Sequence, residues 1–197
     1  MNYVKVKAHK GNYLWKQLTP QVRAAIREGY VLSVDPSVGS VRAGYEGGSL
    51  PGYATYVSGQ LTDRGVITVP PVRSLQARLW EIGRALREDF PSPPGMKVTL
   101  IIEDVPLKRW SKGRGGMMFG SVKQQASLHK AIGAVLASVR CDYIISVQPV
   151  TWHKVVPGDY VKADDNDAMA MAEVIHQYIS AMDAVSERKV KKRGGAA

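Results

Sequence analysis

The segment KVTLIIEDV, residues 97–105, constrains this chain more than any other, because an almost unbroken apolar run of that length follows the breaker cluster PSPPG. A run of this kind is a strand covered on both faces, so it belongs at the centre of a sheet with helices above and below. The rest of the chain supplies the other layers. YVLSVD (30–35), VRAGYE (41–46) and YATYVSGQLT (53–62) have strand character, the last two separated by the turn-rich GGSLPG. Leu75, Leu79, Ile82 and Leu86 recur at helical spacing, as do Leu128, Ile132, Val135 and Val139. DYIISVQ is a fifth strand, and ADDNDAMAMAEVIHQYISAM opens a last helix. The order βββαβαβα predicts an α/β fold with a mixed five-stranded sheet flanked by helices and no internal repeat.

Residues 1–29 have the character of a basic N-terminal extension with one short helix, since Thr19 is a good N-cap, Pro20 suits the first helical position and Gly29 is a stop. The main domain is expected over 30–185. Residues 186–197, with ERKVKKR at their core, are too polar to pack and are expected to be a disordered tail.

At 197 residues the chain suits one domain with short extensions. The longest uninterrupted apolar stretch, Ala131 to Val139, covers nine positions, well short of the roughly 20 that span a bilayer. No secretory signal pattern opens the chain, and a cytoplasmic location is the default. Cys141 is the single cysteine, which excludes an intramolecular disulfide and a cysteine-based zinc knuckle. Any metal must be held by oxygen or imidazole.

A net charge of +10 points to a polyanionic partner. Its distribution is uneven: residues 1–29 carry +5, the stretch from Lys108 to Lys130 has six bases and no acid, and residues 186–197 carry +4. The remaining residues therefore carry a net −5, an acidic body among basic arms. That division suits an enzyme whose carboxylates hold metal while its bases hold phosphates.

Three acidic sites stand out by position. Asp35 closes the first strand of the main domain, and strand ends are where α/β sheets place ligands. Glu103 closes the central strand and shares a face with Thr99 and Ile101, opposite Asp104. In the last helix the apolar stripe runs through Met171, Ile175, Tyr178 and Met182, and stepping back from Met171 lands on Asp167 and then Asp164, whereas Asp165 turns away. Capping alone explains acids at a helix N-terminus, but not why two of them continue a buried stripe. Four carboxylates without cysteine suit Mg²⁺, with Mn²⁺ as substitute, better than Zn²⁺. With a basic chain, the chemistry suggested is phosphodiester hydrolysis, which two ions could assist.

VDPS in the first strand, IIEDV in the fourth and ADDNDAMAMAEV in the last helix resemble the Holliday-junction resolvases of the RuvC type, within the ribonuclease H-like superfamily. The resemblance covers roughly residues 30–182 and lies in the order of the motifs. It implies a five-stranded sheet with its first three strands antiparallel, with Asp35, Glu103, Asp164 and Asp167 as catalytic metal ligands for two ions. It also implies a homodimer that nicks two strands of a four-way junction symmetrically. The basic N-terminal segment is more like bacteriophage versions of the fold, for which forks and flaps join the substrates. Two positions depart from the pattern: Ser37 stands where Gly is usual, and Pro106 stands where bacterial enzymes carry a wedging aromatic.

The loop that follows the central strand offers a substitute for that wedge. Lys108, Arg109, Lys112 and Arg114 suit phosphate contacts, Trp110 or Phe119 suits stacking on an unpaired base, and Lys123 and Lys154 extend the set of expected DNA-binding residues. His153, beside Lys154, has the chemistry for phosphate contact or proton transfer. KGRGG lacks the spacing of a nucleotide triphosphatase loop. A ribonuclease H-like nuclease acting on RNA or hybrids, and a non-catalytic basic nucleic-acid-binding protein, remain alternatives.

Overall fold

The computed structural model describes residues 2–6, 18–36, 50–70, 74–103, 122–148 and 164–194. The strands are β1 (Asn2–Val6), β2 (Tyr30–Asp35), β3 (Gly52–Val57), β4 (Gln60–Val66), β5 (Val98–Glu103) and β6 (Tyr143–Val147). The helices are α1 (Pro20–Glu28), α2 (Leu75–Asp89), α3 (Val122–Ser138) and α4 (Asp164–Gly194). They build one mixed sheet in the order β1-β6-β5-β2-β3-β4, with β5 and β2 at its centre. β1, β6, β5 and β2 run parallel, and β2, β3 and β4 are successively antiparallel.

Among the described residues the sheet thus has six strands against the five expected over the chain. One addition is β1, from the segment taken as an extension, which pairs with β6 from Asn2↔Tyr143 to Val6↔Val147; the other arises because residues 53–62 supply two strands. A lysine within β1 hides that strand from a search for apolar runs. The same segment supplies Leu18 and the α1 residues Val22, Ala25 and Ile26 to the core. Thr19 caps α1 as expected, its side chain accepting from the Val22 N–H at 3.4 Å. Gly29 then joins α1 to β2 where no side chain fits: a Cβ there would stand 2.3 Å from the Ala25 carbonyl and 2.4 Å from that of Lys97.

A second correction concerns residues 53–62, which form a hairpin and not one strand. β3 turns into β4 at Ser58 and Gly59, both with positive φ (49° and 78°), the two-residue turn whose twist matches antiparallel strands. The expected strand over 41–46 lies outside the described residues. A third correction lies at the C-terminus, where α4 continues to Gly194 through the segment expected to be a disordered tail. Charge keeps such a segment out of a core; it does not prevent helical backbone, and Lys, Arg and Glu are good helix formers.

Alternation along the strands divides the core in two. Val31, Ala54, Tyr56, Ile101, Ile145 and Val147 meet α1 and α4 on one face. Leu32, Val34, Leu100, Ile102 and Ile144 meet α2 and α3 on the other, with Ile82, Leu86 and Val135. β5 is therefore covered on both sides, as its apolar run requires.

Candidate metal centre

Because Val31 and Ile101 face α4, the two-residue period turns Ser33 and Asp35 of β2, and Thr99 and Glu103 of β5, to that same face. The parallel register pairs Val34 with Ile102, so Asp35 and Glu103 stand one step further on, side by side at the carboxyl ends of the two central strands. Glu103 is in register with Val147 on its other side, and Asp35 with Gly52. Both acids are half-buried, and each has an interaction partner.

α4 lies across this face in contact with β2, β3, β4 and β5, and its first turn reaches Arg64 of β4. Ala168, Met171, Ala172 and Ile175 are fully buried in its contact with the sheet. Asp167, at the start of that buried surface, is 6% exposed. Its Oδ1 has no hydrogen-bond partner among the described residues, and burial pushes its carboxyl from the ordinary value of 3.8 up to about 6. A buried carboxylate oxygen without a donor is costly, and a cation bound there would remove the cost. Asp164 is the first residue of α4; its side chain lies outside the described set. Among the described residues no group of three or more His, Cys, Asp and Glu side chains is gathered closely enough to hold an ion. Asp35, Glu103 and Asp167 thus share a face of the sheet without closing into a coordination sphere. The donors are hard oxygens and fit Mg²⁺ or Mn²⁺ in kind.

Two contacts that the sequence pattern does not reveal hold α4 in place. The Tyr56 hydroxyl on β3 donates to Glu173 Oε1 at 3.0 Å, and the Tyr56 ring lies 5.0 Å from that of His176. Burial lowers the pKa of His176 below its usual 6.5, which favours the neutral ring. Nearer the acids, Arg64 Nη1 on β4 donates to Asn166 Oδ1 at 2.9 Å and lies 3.2 Å from Met169 Sδ. Only the alternation of β4 hints at Arg64, and nothing in the sequence specifies its partner. Of the expected DNA-binding residues, Lys108, Arg109, Trp110, Lys112, Arg114, Phe119 and Lys154 lie outside the described residues, as does His153. Lys123 is on α3, its side chain outside the description. No helix among the described residues is long and apolar enough to cross a membrane.

No family model matches the sequence, and no curated protein matches it. Among solved structures, RuvC from T. thermophilus in complex with a Holliday junction substrate matches with a TM-score of 0.52 and 13% identity, over 79% of this chain and 96% of that one. The chain has the ribonuclease H-like fold, a mixed sheet flanked by helices. Within that class its architecture is RuvC-like, with the six-stranded sheet described above.

Proposed function

We propose that this chain is a divalent-metal-dependent endonuclease that resolves Holliday junctions and related branched DNA by paired, symmetric nicks, working as a homodimer. The observation that carries the reading is the buried Asp167 carboxyl, with its unpartnered oxygen, on the helix that crosses the sheet face bearing Asp35 and Glu103. The RuvC-like fold and the basic net charge support it. The nuclease domain corresponds to residues 30–185, built onto by β1 and α1.

Asp35, Glu103, Asp164 and Asp167 would hold two ions, Mg²⁺ or Mn²⁺, and serve as ligands, not as proton donors. Bound there, the metal supplies activation of a water and stabilisation of the leaving 3′-oxygen. Asp35 and Glu103 stand on the central strands and Asp167 on the buried side of α4, and binding of the ions would draw them together from positions that do not yet form a coordination sphere. Phosphates flanking the cleaved bond fall to the basic residues Lys108, Arg109, Lys112, Arg114, Lys123 and Lys154, and Trp110 or Phe119 stacks at the branch point. An intracellular enzyme acting on phage or host DNA fits this assignment.

The test is a titration of Mg²⁺ with a labelled four-way junction, a fork, a linear duplex and an RNA–DNA hybrid. Cleavage of the junction in paired nicks, absent in EDTA and lost in Asp167→Asn while Asp165→Asn remains active, is the expected outcome. Preferred cleavage of the hybrid would assign the fold to another nuclease class. Junction binding without cleavage at any metal concentration would leave a binding protein.

A further inference from the structure

Arg64 is opposite Ala54 in the β3–β4 register, and Ala54 is opposite Ser33. It therefore lies on the row of the sheet just before the row of Asp35 and Glu103, and on the face that α4 covers. The side chain is exposed, yet fixed at one end: Nη1 donates to Asn166 Oδ1 and approaches Met169 Sδ. Asn166 is the immediate neighbour of Asp167. Both acceptors are uncharged, so they hold the guanidinium without neutralising it. Arg84, Lys97 and Arg27 are instead paired with acids, Glu81 and Glu88, Asp142, and Asp183, and the two other arginines seen on uncharged acceptors, Arg23 on Met182 Sδ and Arg87 on Ser138 Oγ, lie on helices α1 and α2 and not on the sheet. The adjacent Asp63 is turned elsewhere, accepting from the Tyr53 hydroxyl at 2.9 Å and from the Arg64 backbone N–H at 2.8 Å.

A guanidinium carries five N–H donors in a planar fork. Only Nη1 donates to a partner among the described residues, which leaves the Nε–Nη2 edge to offer two parallel donors, the geometry that recognises phosphate bidentately. Holding the side chain before a ligand arrives reduces the rotamer entropy lost on binding. A fixed positive charge at this point also offsets the repulsion that the neighbouring acids exert on an approaching phosphate.

Building on the nuclease reading above, we propose that Arg64 binds a backbone phosphate of the DNA strand that enters the metal centre, with Asn166 as the positioning residue that aims its free edge. This phosphate contact comes from β4, the edge of the sheet, and is separate from the basic loop that follows β5.

The experiment measures binding of a four-way junction and a linear duplex in EDTA at several KCl concentrations, for the wild-type chain, Arg64→Gln and Arg64→Lys, with melting temperatures for each. Arg64→Gln keeps a polar amide and removes the charge. It is expected to weaken binding to both DNAs about tenfold, the loss of one charge-assisted contact, and to lower the slope of log affinity against log salt by about 0.9. Arg64→Lys should keep the slope and lose part of the affinity. An unchanged slope in Arg64→Gln, with a lower melting temperature, would make Arg64 a clamp for α4 only and overturn the proposal while leaving the nuclease reading intact. A wild-type chain that binds neither DNA would overturn both.

Discussion

The two faces of the sheet are built from the same strands and differ in what they bury. Under α2 and α3 the residues of β2 and β5 are Leu32, Val34, Leu100 and Ile102, packed with Ile82, Leu86 and Val135. Under α4 the intervening positions include Ser33 and Thr99, whose hydroxyls are buried with no partner among the described residues, and the row ends at Asp35 and Glu103. Asp167 Oδ1 and His176 Nε2 of α4 are buried in the same condition. The first face is apolar in its strand residues, and its buried polar groups, among them Arg78 Nε and Ser138, belong to α2 and α3. The other places desolvated polar groups on the strands themselves, at a cost that a bound cation at the proposed centre would reduce for Asp167.

The largest expected effect tests the apolar face. Leu100→Ala or Ile102→Ala should lower the unfolding free energy by about 2–5 kcal/mol, since each truncation leaves a cavity between the sheet and its helices. Urea denaturation measures the loss, and cleavage per folded molecule should change little, because neither side chain reaches the acids.

A slightly smaller effect, and one confined to the α4 face, is the pH dependence of the metal-free chain. The Asp167 carboxyl titrates near 6 when folded and near 3.8 when unfolded. Between those values the unfolded chain has released the proton and the folded chain has not, so stability falls as pH rises from about 4 through 6, by up to about 3 kcal/mol. Asp167→Asn should remove that fall and be more stable than the wild-type chain at pH 8 in EDTA. His176 has the opposite sign: its lowered pKa costs stability as pH drops below 6.5, so the difference between variant and wild type, not the raw profile, isolates Asp167.

Tyr56→Phe should cost about 1–2 kcal/mol, since it removes the donor from Glu173 and leaves that carboxylate partly buried. Loss of stability without loss of junction binding would mark Tyr56 as a pin for α4. The smallest effect has the reverse sign. Ser33→Ala deletes a buried hydroxyl that has no partner among the described residues and should stabilise the fold by about 1 kcal/mol. A loss of stability on this substitution would show that the hydroxyl is satisfied and that the two faces differ less than their residues suggest.

What the sequence discloses follows the range of the interactions. β5 and the two helices α2 and α3 are legible because apolar runs and stripes at i, i+4 are local patterns. The phase of α4 identifies Asp167 as a residue of its buried side for the same reason. β1 is not legible, because a five-residue strand containing a lysine acquires its meaning only by pairing in parallel with the distant β6. The β3–β4 hairpin was legible and is easily passed over, since Ser58-Gly59 is a turn dipeptide embedded in strand-like residues. The contacts from Tyr56 to Glu173 and from Arg64 to Asn166 span 117 and 102 residues. No periodicity encodes them.

Thermal unfolding with and without Mg²⁺ at pH 8, in the absence of DNA, tests directly and without recourse to activity the proposal that the acids on the α4 face bind a divalent cation through Asp167. Binding to the folded state alone stabilises by about 1.4 kcal/mol when the ion is at ten times its Kd. The wild-type chain should therefore melt higher as Mg²⁺ is raised, whereas Asp167→Asn should melt at a temperature that Mg²⁺ does not change. An equal rise in both proteins, or no rise in the wild-type chain, would contradict the assignment of Asp167 as a ligand.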